Sequence, residues 1–151
     1  MEASIETLTP AKQQTLLGLM YAQGHCRPQD RQRALSHLRK GAQLGDADAM
    51  YAFFVTAGEA SEATNDSGYQ KHVRDWDEGV RWLQEAAKSG NWRAALVLGD
   101  VCYKFGACEL PRNLKLSHYW CQRYNELAPP EVIPKNFDCN ADHSTAKEHH
   151  K

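Results

Sequence analysis

The chain has 151 residues and carries 18 Lys and Arg against 19 Asp and Glu, a formal net charge of −1. That length is enough for one domain with a core that needs no disulfides. The near-neutral balance leaves no electrostatic footprint for nucleic acid or an anionic membrane, and no apolar run approaches the roughly 18 residues of a spanning helix. The N-terminal MEASIETLTP lacks the basic and apolar regions of a signal peptide. As it stands the chain therefore reads as cytoplasmic, and as periplasmic if a signal peptide has been removed.

Thr9-Pro10 opens the first expected helix, with Thr9 as N-cap and Pro10 at the first helical position. Apolar residues then recur at three- and four-residue steps in Leu16, Leu17, Met20 and Tyr21. A second helix is expected over Arg31–Ala42, entered from Asp30. The segment Gly45 to Gly58 reads as a third helix, and Glu59 to Arg74, EASEATNDSGYQKHVR, as an enlarged polar loop. A helix over Trp76–Lys88 follows, with Asp75 as its N-cap and Asp77 and Glu78 as first-turn acids favoured by the helix dipole. Leu96, Leu98, Val101 and Phe105 mark a fifth helix, and Asn113–Leu127 a sixth, stopped by Pro129-Pro130. Gly24, Gly45, Gly58, Gly90 and Gly106 stand where helices end in a left-handed conformation. Beyond Pro130, Val132 to Phe137 is expected to lie back on the last helix pair, with disorder from Ala141 onward.

The pattern repeats. LLGLMYAQG from Leu16 recurs as LVLGDVCYKFG from Leu96, and ALSHLRKGAQLG from Ala34 recurs as GVRWLQEAAKSG from Gly79. The register pairs Ala34 with Gly79, His37 with Trp82, and Gly45 with Gly90, and it places Phe54 opposite both Gly18 and Gly99. Short helix pairs cannot bury an apolar face alone, so they stack into one core. The expected fold is all-α, a right-handed α-solenoid of three helix pairs (about 10–45, 46–90 and 91–128) in a domain of residues 1–130. Residues 131–151 form a C-terminal extension. Gly18, Gly41 and Gly99 inside helices imply close helix approach, with Tyr21, Trp82, Tyr103 and Trp120 filling the space between pairs.

These segments resemble the Sel-1-like repeats, relatives of the tetratricopeptide repeats. LLGLMYAQG, DRQRALSHLRKGAQLG, DWDEGVRWLQEAAKSG and RAALVLGDVCYKFG carry the resemblance, over about Ala11 to Leu127. The chain departs from the pattern in four places. Phe53-Phe54 replaces LG, and the third repeat holds an extra residue that leaves Cys102 or Tyr103 in the tyrosine slot. That repeat also has Tyr124 and Asn125 near the place of the alanine pair, and the first loop is GHCRPQD. The resemblance implies a protein that binds partners on a concave surface and has no catalytic site. It extends to small bacterial immunity proteins that block secreted toxins, such as effectors of type VI secretion. A signalling or assembly adaptor and a cysteine-dependent hydrolase are the alternatives.

In stacked helix pairs the first helices line the concave wall. The partner-binding candidates are therefore Tyr51 and Val55 in the second first-helix, and Trp92, Arg93, Asp100 and Lys104 in the third. Trp and Arg are types enriched at binding hot spots. Tyr69, with Lys71 and His72, is a further candidate on the long loop. The five cysteines, Cys26, Cys102, Cys108, Cys121 and Cys139, include no CxxC pair, which argues against a zinc ribbon or a thioredoxin-type site. Cys102 and Cys108 are candidates for a disulfide. Cys108, His118 and Cys121, and separately Cys139, Asp142, His143, His149 and His150, lack the paired spacing of a structural metal site. No metal or cofactor is expected. No phosphate loop, HExxH or GxSxG occurs.

Overall fold

The computed structural model describes residues 7–59 and 66–139, and the side chains of 66–70 fall outside the described set. The tail expected to be disordered from Ala141 also lies outside the described residues. The helices are α1 (Pro10–Gln23), α2 (Arg31–Gln43), α3 (Ala47–Gly58), α4 (Asp66–Lys88), α5 (Trp92–Val97), α6 (Tyr103–Phe105) and α7 (Leu114–Leu127). A π-helical turn (Leu98–Cys102) joins α5 to α6, and a 3-10 turn (Pro130–Val132) follows α7. No strand occurs among the described residues. The architecture is an α-solenoid of helix-pair repeats. Its residue contacts divide into two compact units, Met1–Ala95 and Leu96–Lys151.

Punctuation fixes the helix ends as expected. Thr9 Oγ1 accepts from the Lys12 amide at 3.2 Å, Asp30 Oδ1 from the Arg33 amide at 3.0 Å, and Asn113 Oδ1 from the Leu116 amide at 3.1 Å. Gly24 and Gly106 close their helices at positive φ. The joints between repeats are duplicates: Gly45 and Gly90 both take φ 95°. Asp46 N–H donates to Gly41 O at 3.0 Å, and Asn91 N–H to Ala86 O at 2.9 Å.

The middle repeat departs from expectation. Residues 66–74 are helical, so α4 begins well before Trp76, inside the segment read as an enlarged loop; residues 60–65 of that segment lie outside the described residues. Gln70, Lys71 and Arg74 are polar but good helix formers, and no Pro interrupts the run. Asp75 is therefore mid-helix and not an N-cap, and it is buried, with Oδ2 3.7 Å from Arg31 Nη1. In the outer repeats the capping residue's own amide closes the turn: Asp30 N–H donates to Tyr21 O at 2.9 Å, and Asn113 N–H to Tyr103 O at 2.8 Å. Asp75 has its amide inside a helix. Arg31 supplies the donor instead, reaching Ala57 O at 3.1 Å and Thr56 O at 3.3 Å. Gly58 is likewise the last residue of α3 and not a left-handed cap. A methyl group there would lie 2.8 Å from the Trp76 ring.

Glu78 is a tie between helices and not a first-turn dipole acid. Its carboxylate accepts from Arg39 Nε at 2.8 Å, Arg39 Nη2 at 2.9 Å and Trp82 Nε1 at 3.1 Å. The core beneath it is Leu35, Leu38, Phe53 and Ala57, with Trp82 packed against them.

In the second unit the π-helical turn absorbs the extra residue of the third repeat. Tyr103 thereby takes the buried tyrosine slot, while Cys102 turns inward and is bridged to Cys108. A second disulfide, Cys121–Cys139, was not anticipated. It ties the segment after Pro130 to α7, where Phe137 meets Tyr124 edge-on at 5.1 Å. Gly99 is the tightest point of this unit. A methyl there would stand 2.7 Å from Cys121 N and 2.9 Å from Ser117 O, backbone atoms that cannot rotate aside. Gly99→Ala is expected to cost about 1–3 kcal/mol by overpacking. Gly18→Ala, which meets the Leu38 side chain first, is expected to cost less. Urea unfolding followed by circular dichroism checks that ranking.

Candidate functional site

Three successive first helices wall a groove of about 510 Å³ in the first unit. The α1 side is Leu19, Ala22 and Gln23, and the α3 side is Tyr51, Ala52 and Val55. Val55 is 41 % exposed, an apolar side chain left uncovered in the middle of the groove. Tyr51 is half-buried, and burial pushes its phenol pKa up against the opposing pull of Arg93.

One end of the groove is polar and fixed. Asn91 is buried; its Oδ1 caps α5 through the Ala94 amide at 3.0 Å, and its Nδ2 donates to Asp48 Oδ1 at 3.1 Å. Lys12 Nζ donates to Asp48 Oδ2 and to Asp46 Oδ1, each at 2.8 Å. Asp46 also accepts from Thr15 Oγ1. Arg93 lines the same end, with its guanidinium 4.3 Å above the Trp92 ring. Glu59 lies among the groove residues at the C-terminus of α3.

Of the residues singled out from sequence, Tyr51, Val55 and Arg93 share this groove. Trp92 is half-buried beneath Arg93. Asp100 and Lys104 belong to the second unit and pair with each other at 3.6 Å, Lys104 being only 15 % exposed. Tyr69 lies in α4 and not on a loop, and its side chain is outside the described residues. His72 Nδ1 sits 3.3 Å from Arg31 Nη2. Leu19, Ala22, Gln23, Glu59 and Asn91 were not singled out. Leu19 was within reach, because the register that pairs Gly18 with Phe54 also pairs Leu19 with Val55.

The disulfides bear on the chemistry considered earlier. Cys108 and Cys121 lie in separate bridges, so neither offers a thiolate to a metal. Among the described residues the free thiol is that of Cys26, exposed in the α1–α2 loop at φ 61°. The cluster of Cys139 with residues 142–150 falls largely outside the described residues. No described helix is long and apolar enough to cross a membrane.

The family model "Sel1 repeat" matches residues 14–46, 73–91 and 92–123. The interval it leaves open contains Phe53-Phe54. A Sel1 repeat protein from Oxalobacter formigenes is similar in structure, with a TM-score of 0.63 and 27% identity over 82% of this chain and 44% of that one. A second solved structure is c5321, a protective antigen present in uropathogenic Escherichia coli and displaying an SLR fold. It covers 85% of this chain and 34% of its own at 20% identity, with a TM-score of 0.35. The chain thus spans less than half the length of each. No curated protein matches it.

The ion pairs at the groove's end make stability depend on pH. Burial works against ionisation of Asp46, but the hydrogen bonds from Lys12 and Thr15 outweigh it and hold its pKa below the usual value. A carboxylate depressed on folding stabilises above its unfolded pKa, and that contribution is lost as pH falls through the folded value. Urea midpoints should therefore drop below about pH 4. The drop should be smaller in Lys12→Met, which starts from a lower stability at neutral pH.

Proposed function

The chain belongs to the Sel1 repeat family, and from that premise we propose that it is an inhibitor that binds a secreted bacterial toxin in the groove walled by α1, α3 and the start of α5, and blocks it by occlusion. Sel1 repeats are protein–protein interaction modules. The observation that carries the reading here is the groove itself. It holds apolar Leu19, Tyr51 and Val55 between a fixed polar end at Asn91 and Arg93 and an acidic residue, Glu59, at the other. An apolar centre with polar margins is the pattern of protein interfaces. Arg93 stacked on Trp92 supplies the residue types that dominate binding energy. Disulfides Cys102–Cys108 and Cys121–Cys139 support residence in an oxidising compartment, and we place the inhibitor in the periplasm.

Two substitutions test this. Val55→Asp puts a charge in the apolar centre, and Arg93→Glu reverses the polar end. Both positions are exposed, so folding should survive, which thermal melts will show. Co-expression with the source strain's secreted effectors should identify one whose toxicity the chain relieves. Each variant should lower affinity for that effector by at least about tenfold, equivalent to about 1.4 kcal/mol. Relief of none of the effectors would remove the inhibitor reading. Undiminished affinity in both variants would remove the groove as its site.

A further inference from the structure

Away from the groove, the contact between α1 and α2 gathers cations around an aromatic pair. Tyr21 lies about 200° around α1 from Leu19, on the side turned to α2. Its ring stacks on His37 with centroids 5.5 Å apart and an interplanar angle of 2°. The Arg27 guanidinium lies 4.8 Å from the Tyr21 centroid, and that of Arg33 lies 5.7 Å away. His37 Nδ1 is 2.8 Å from Gln14 Oε1, a carbonyl oxygen that accepts, so Nδ1 carries the ring proton. One carboxylate is near among the described residues: Asp30, with Oδ2 3.5 Å from Arg33 Nε.

We propose that Arg27, Arg33 and Lys40, grouped around Tyr21 and His37, form an oxyanion site that takes a carboxylate-rich segment of the protein partner. A guanidinium has five N–H donors in a planar fork that fits a carboxylate. Arg27 Nε is buried and makes no hydrogen bond. The Arg33 side chain is 68% exposed, and Lys40 is exposed on the same helix. The same cations act on both rings of the aromatic pair. Hydrogen bonds from Arg33 and then Arg27 pull the Tyr21 phenol below its ordinary pKa. Burial, then Lys40, Arg27 and Arg33, push His37 down. Nucleic acid fits poorly, because three cations on one loop and one helix of a chain with net charge −1 do not make an extended basic stripe. The proposal rests on the reading of the chain as a protein-binding module, but it concerns a surface separate from the groove.

His37 reports on the site directly. An anion bound among these cations offsets their part of the push on the imidazole, so the His37 pKa is expected to rise. The ring protons of His37, assigned with His37→Gln, are titrated by NMR with and without a hexaglutamate peptide. Inorganic phosphate and a short single-stranded oligonucleotide are run in parallel. We expect hexaglutamate to raise the His37 pKa, and Arg27→Gln/Arg33→Gln to weaken its binding at least about tenfold. Exposed Lys40→Gln serves as the second variant should the double one fold poorly, and should weaken binding in the same direction. The site is refuted if hexaglutamate leaves His37 unmoved or binds the folded variants as tightly as wild type. Tighter binding of phosphate or the oligonucleotide would overturn the carboxylate assignment. Val55→Asp should leave the His37 response intact, so a failure of the groove reading is separable from a failure here.

Discussion

Each helix pair crosses at a point where the two backbones nearly touch, and one small residue on either side is enough to permit it. In the first pair Gly18 faces Leu38 and the Ala34 carbonyl; in the third, Gly99 faces Ser117 and Cys121. The middle pair inverts the arrangement. Phe54 stands in the first helix, and the small residue is Gly79 across from it, where an added methyl would meet Phe54 Cα at 3.3 Å. In the first unit the core of Leu35, Leu38, Phe53 and Ala57 forms beside these crossings. Gly41 of α2 lies against both α1 and α3, where an added methyl would stand 2.8 Å from Thr15 Oγ1 and 2.9 Å from Ala49 Cβ.

This compensation explains what the sequence disclosed and what it withheld. The N-caps Thr9, Asp30 and Asn113 and the glycines at 24, 45, 90 and 106 are local signals, each decided by a few adjacent residues, and they read correctly. The start of α4 does not, because the polar run Glu59 to Arg74 has the composition of a loop although its Gln70, Lys71 and Arg74 favour a helix. Asp75 carried the side chain of a cap and the register of a cap. Only the extension of α4 into residues 66–74 moves it inside, where Arg31 faces it. The Cys121–Cys139 bridge joins residues on different segments, and pairing of that kind follows from the tertiary path and not from spacing.

The groove was partly visible for the same reason. Tyr51, Val55 and Arg93 were reached by counting along first helices. Counting also nominated Asp100, which is register-equivalent to Val55 but pairs with Lys104 in the second unit. Leu19 lies one residue beyond a glycine and reads as core until its partner in register, Val55, is known to be exposed. The basic cluster was hidden by the alignment of His37 with Trp82, which suggests packing. Arg27 reaches Tyr21 from a loop, and no helical periodicity points to it.

The joints at Gly45 and Gly90 have a further consequence. Their closing hydrogen bonds run only between neighbouring residues, and a side-chain carbon at either glycine would meet nothing within 4 Å. A backbone turn closed in this way is self-contained. Tandem duplication or deletion that breaks the gene at such a glycine rejoins two intact turns. Lengthening or shortening the array is therefore limited by the contacts that cross the joints and not by the joints themselves, since Lys12 reaches Asp46 and Asp48, Arg39 reaches Glu78, and Asn91 reaches Asp48.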